Sequence, residues 1–189
     1  MKRRIHFLFA LFICSVSSVA AQYTITAREG YSPQIGILVD MLDNSRNQIL
    51  EAIKELDPAD LDYRFDDQAN TIGALLMHLI ATQSYYQVQS LEERSWDEQE
   101  EAFWTKASNV EENSKGALRG KDLSYYREVW DKVHGKTLVG LKQKDDAWLQ
   151  LMVDDGINHH YIWFHVFDHQ ANHLGQISVI INRLKSNDE

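Results

Sequence analysis

The chain has 189 residues, with 28 acidic side chains against 19 basic ones and a formal net charge of −9. A surface that acidic repels phosphate backbones, so nucleic acid is disfavoured as a partner. The single cysteine, Cys14, lies near the N-terminus; the rest of the chain has no disulfides or thiol chemistry of its own and must draw its stability from one apolar core, for which its length is sufficient.

In chain order, the first segment is an export signal by pattern. Lys2, Arg3 and Arg4 precede an apolar run over residues 7–16, and Val19-Ala20-Ala21 supplies the small residues of a cleavage site. That is a secretory signal peptide over residues 1–21, with an apolar run too short to span a membrane. The expectation is an exported protein, periplasmic or secreted, with no stable membrane insertion once the leader is removed. Residues 22–189 then form one domain. The Arg3-Arg4 pair alone does not establish twin-arginine export, and Ile13 is too bulky before Cys14 for lipid attachment.

Helical periodicity dominates the remainder. Ser32-Pro33 offers a cap followed by proline at the first helical position. Ile35, Leu38, Val39, Leu42, Ile49, Ile53 and Leu56 then share a face, to a stop near Asp57-Pro58. A polar loop leads to Asn70, the expected cap of a second helix reaching Leu91, with Ile72, Leu75, Leu76, Leu79 and Tyr86 as its stripe. Residues 92–121 read mainly as a long connection with a short helix around 101–107. A third helix is expected over residues 123–142, a short piece around 148–153, and a last helix over 157–184 after Gly156. This pattern predicts an all-α four-helix bundle with a long connection between helices 2 and 3.

The last helix carries His165, His169 and His173 at intervals of four. Successive members turn by only ~40°, so all three lie on one side with Ile162, Val166 and Ile180, toward the core. Imidazoles at that spacing have Cβ atoms ~5–6 Å apart and can converge on one ion with bonds of ~2.0–2.1 Å. A third ligand must come from another helix, and His78, at the edge of the second stripe, is the natural candidate. His134 on the third helix is the weaker alternative. His159 and His160 lie near a helix start, where exposure or local capping accounts for them. A lone histidine on an apolar face is ordinarily a hydrogen-bonded core residue. A buried i, i+4 pair is harder to satisfy that way, because each unpaired nitrogen costs ~1–3 kcal/mol.

Thr71-Ile72-Gly73-Ala74-Leu75-Leu76-Met77-His78, together with His165-Val166-Phe167-Asp168-His169-Gln170-Ala171-Asn172-His173-Leu174-Gly175-Gln176-Ile177, resembles the DinB-like superfamily over nearly the whole chain after the leader. The resemblance implies a DinB-like four-helix bundle with His78, His169 and His173 as metal ligands and His165 as a supporting histidine. Members include metal-dependent thiol transferases, and dimers are common among them; this sequence neither selects nor excludes a homodimer. Gln170 and Leu174 stand where the family often has Glu and Arg.

A three-histidine site keeps the ion's charge and an open position for water, so a metal-dependent hydrolase or transferase acting on a small molecule is the expectation. A metal- or ligand-binding bundle without catalysis is the alternative. Imidazoles suit zinc or nickel better than iron or manganese. Gln170 occupies the place of the zincin glutamate, which disfavours that protease class. Gln176 is a candidate to orient a bound water or ligand. Arg46, inside the first apolar stripe, is a candidate anion clamp, although snorkelling to the surface is the commoner role of such an arginine.

Overall fold

The protein was analysed as a computed structural model that describes residues 24–187, so the leader assigned to residues 1–21 lies outside the described residues. Four long helices build the molecule: α1 (Pro33–Ala52), α3 (Ile72–Leu91), α6 (Leu123–Leu141) and α7 (His159–Asn187). Short elements join them: α2 (Pro58–Leu61), α4 (Glu98–Ser108), α5 (Val110–Glu112), a π-turn (Asn113–Ala117) and a 3₁₀ turn (Trp148–Gln150). A small hairpin of β1 (Met152–Asp154) and β2 (Ile157–Asn158) precedes α7. The all-α bundle expected from periodicity is the observed architecture.

Helix α3 is central. It buries residues on nearly every side, from Ile72 to Ser90, as a helix enclosed by neighbours must. Those neighbours are α6, α7 and α4, while α1 packs on α7. The close approach explains Gly73: a methyl group there would collide with the Tyr126 hydroxyl of α6. One apolar cluster joins Leu75, Leu76, Trp130 and Ile177; a second joins Val39, Leu42, Leu149 and Trp163. No described helix is long and apolar enough to cross a membrane.

Helix ends depart from expectation for local reasons. Helix α1 stops at Ala52, because residues 53–56 turn the chain toward a new start at Pro58. There Asp57 accepts from the amides of Ala59 and Asp60 at 2.8 and 2.9 Å, a capping box that sets α2. The cap of α3 is Thr71, whose Oγ1 accepts from Ala74 N at 3.1 Å, and not Asn70. At the far end, Ile157 and Asn158 pair with β1 across Gly156 (φ +84°), so α7 begins at His159 instead. The presumed long connection contains an eleven-residue helix, α4. Asp97 and Glu100 cap it reciprocally, and Trp104 and Ala107 pack it on the core.

A buried polar network crosses the bundle and claims His134. Gln83 Oε1 accepts from Trp130 Nε1 at 2.9 Å, and its Nε2 donates to Thr137 Oγ1 at 3.1 Å and His134 Nδ1 at 3.2 Å. His134 Nε2 donates to Asp43, which Arg28 also pairs. Both ring nitrogens of His134 are thus engaged away from the other histidines, which removes it as an alternative ligand.

Candidate metal centre

The packing of α7 along α3 brings three imidazoles from two helices to one point. His169 Nε2 lies 3.2 Å from His78 Nε2 and 3.0 Å from His173 Nε2. One nitrogen of each ring lies within 4.8 Å of the other two, and all three side chains are half-buried. His165, one turn before His169, does not join these nitrogens. Its ring stacks on His169 with centroids 5.6 Å apart and planes 18° apart, and meets Tyr86 edge-on at 5.6 Å.

The outer nitrogens decide which atoms face the common point. The Ser108 carbonyl accepts from His78 Nδ1 at 2.9 Å, and Gln176 Oε1 accepts from His173 Nδ1 at 3.0 Å. Each of those Nδ1 atoms therefore carries the proton, and each Nε2 presents a bare lone pair. His169 Nε2 can donate to only one of them, which leaves the other lone pair unmet. A cation between the rings satisfies all three at once. Bonds of ~2.0–2.1 Å at tetrahedral angles put such nitrogens about 3.3–3.4 Å apart, close to the separations observed. The donor set fits a divalent ion.

Electrostatics agree. Burial, followed by the neighbouring His173, His78 and His165, pushes His169 down to about 3. Burial likewise lowers His173, against the raising effect of Gln176. Both are neutral at ordinary pH, the form that ligates a metal.

A cavity of ≈ 350 Å³ opens beside the cluster, walled by His78, His169, His165, Tyr85, Tyr86 and Trp96. Among the described residues, no carboxylate, lysine or arginine lines it. Gln170 is only 1% exposed, lies outside that lining, and has no partner for either amide atom among the described residues. It has no access to the cavity.

Other sequence candidates fall elsewhere. Gln176 sits at the cluster and holds His173. Arg46 pairs with Asp131 of α6 and lies 5.4 Å over the Trp130 ring; it is not among the residues walling the cavity. His160 is exposed, as expected. His159 is not: it is 6% exposed, stacks on Trp148 at 4.0 Å, and bonds Ser90 Oγ at 2.8 Å. The hairpin before α7 tucks it inward, which corrects the expectation of exposure or capping.

Two contributors were invisible in the sequence. Ser108 acts through its carbonyl, which carries no residue signature. Asn113 is buried and donates through Nδ2 to the carbonyls of Lys106 and Ala107, both at 2.9 Å. It thereby pins the end of α4 from which the Ser108 carbonyl reaches His78. The capping signal Asp97-x-x-Glu100 could have revealed α4, though not where its far end lands.

No curated protein matches the chain. The family model described as mycothiol-S-transferase matches residues 37–184, a span holding both histidine motifs and nearly all of the four long helices. The chain belongs to the mycothiol-S-transferase family, a member of the DinB-like superfamily.

Proposed function

We propose that this protein is an exported, metal-dependent transferase that joins a thiol to a small electrophilic substrate, with His78, His169 and His173 as ligands of zinc or nickel. The observation that carries this reading is the convergence of three Nε2 atoms, two of them, on His78 and His173, with tautomers set from behind by Ser108 and Gln176. Family membership supports transfer to sulfur as the reaction class. The N-terminal pattern supports export.

A divalent ion held there supplies a Lewis acid that lowers the pKa of a thiol or water reaching it. The protein's own residues explain why a thiol suits the site better. Attack by water calls for a positioned base, and no carboxylate among the described residues lines the cavity. A thiol, with a pKa of ~8.5, gives up its proton to solvent far more readily. Its sulfur then forms the bond to the electrophilic carbon as the bond to the leaving group breaks. Tyr85, Tyr86, Trp96 and His165 enclose the uncharged part of the substrate and limit water.

The same lack of a carboxylate favours a second reading, a metal- or ligand-binding bundle without turnover. Elemental analysis of untagged mature protein beside His173→Ala, followed by thiol-consumption and ester-hydrolysis assays on metal-loaded protein, separates the two. Stoichiometric zinc or nickel in the wild type alone, with thiol consumption lost in His169→Ala, is expected. Metal without any turnover establishes the binding module, and hydrolysis without thiol consumption replaces the transferase. Protein of equal metal content in both preparations sinks the centre itself. Intact mass of the cell-envelope or secreted fraction should show an N-terminus at Gln22; full-length protein in the cytosol would refute export.

A further inference from the structure

A second cavity, of ≈ 290 Å³, lies between α3, α4 and α6, away from the histidines. Its walls are apolar: Val88 from α3, Phe103 and Trp104 from α4, and Val129 and Val133 from α6. Phe103 is 45% exposed, so an aromatic ring stands at the mouth with one side uncovered. The volume is at the small end of ligand pockets, which span ~300–1,000 Å³.

Two further observations point to an occupant. Ser84 lines the cavity and is only 5% exposed, so a polar group lies deep in the slot within reach of an occupant. At the rim, Lys132 and Lys136 stand one turn apart on α6, and neither closes an ion pair among the described residues. The single acid of the lining, Glu100, feels Lys136, but its closest partners lie elsewhere. Arg94 grips it at 2.5 and 3.0 Å, and Asp97 N donates to it at 3.0 Å. A chain of net charge −9 thus sets two ammonium groups over an apolar slot.

From this juxtaposition we infer that the α3–α4–α6 cavity binds a small amphipathic carboxylic acid, of medium chain length or with a single ring. Its apolar body packs among Val88, Phe103, Trp104 and Val133, and its carboxylate meets Lys132 and Lys136. This site stands apart from the metal centre and does not depend on the function assigned there.

The test is calorimetric titration of metal-loaded mature protein with octanoate, octan-1-ol and octylamine. Octanoate should bind more tightly than the alcohol, and the amine not at all. The double variant Lys132→Gln/Lys136→Gln, which alters only exposed side chains, should weaken octanoate by ~5–10-fold, as loss of two partly exposed charge contacts implies, and leave octan-1-ol unchanged. Ser84→Leu, which fills the floor, should weaken both. The same titration on His169→Ala distinguishes the sites. Octanoate binding lost there but kept in the lysine variant places the carboxylate on the imidazole cluster and overturns the inference. So does octanoate affinity that the lysine pair does not alter, or absence of heat with octanoate in the wild type.

Discussion

At the residue scale, the ligands depend on what holds their second nitrogens. Gln176 accepts from His173 Nδ1 and so keeps the Nε2 lone pair aimed at its partners. Removing such an outer contact typically costs 10–100-fold in metal affinity. Gln176→Leu should therefore weaken zinc binding by about 10-fold in a chelator competition, with little change in melting temperature because the side chain is exposed. An unchanged affinity would reduce Gln176 to a surface residue.

The depressed histidines also make a pH prediction. Unfolded, His169 and His173 protonate near their ordinary pKa of ~6.5; folded, His169 resists until about 3 and His173 is also lowered. Below pH ~6.5 the unfolded chain binds more protons than the native one, so stability falls as pH falls. Metal-free protein should lose melting temperature between about pH 6.5 and 4. His169→Gln should show a shallower decline, and parallel curves for the two proteins would refute the assignment.

At the element scale, α4 matters more than its length suggests. It carries the Ser108 carbonyl to His78 at one end and is pinned by Asn113 there. Asn113→Ala leaves two C-terminal carbonyls without their partner at a buried site, a loss of about 1–3 kcal/mol, and frees the His78 ring. The expected result is lower stability by urea melting together with weaker metal binding. Thr71→Ala provides the control: it removes only the cap of α3, costs ~1 kcal/mol, and should move affinity much less than Asn113→Ala at comparable stability. Equal effects on affinity would show that Asn113 acts through general destabilisation. Segment 92–121 is expected from sequence to be mainly connection because it is acidic and then Gly- and Ser-bearing. Trp96, Trp104 and Ala107 gain their meaning only against α3.

At the scale of the whole molecule, one ion would tie α3 to α7, whose ligands His78 and His169 lie 91 residues apart in the sequence. Binding to the native state alone stabilises by ~4 kcal/mol at a thousand-fold excess over Kd. For a domain of this size that raises the melting temperature by about 10 °C. Chelator treatment should lower it by that amount and zinc should restore it, while His173→Ala should respond to neither. A wild type equally insensitive to both would remove the metal from the account of its stability.

What the sequence determined alone is what depends on neighbours along the chain. A period of 3.6 residues placed α1, α3, α6 and α7, and intervals of four put His169 and His173 on one side of α7, because a helix fixes those relations locally. Even Gln176, three residues after His173, lay within that reach. His78 could be nominated from its stripe, but only packing decided that its Nε2 would meet His169 rather than a hydroxyl or carboxylate. The same packing sent His134 to Asp43, buried His159 against Trp148, and carried the Ser108 carbonyl behind His78. Contacts between helices depend on crossing geometry and on where each chain end turns, and neither is written in the periodicity of any single segment.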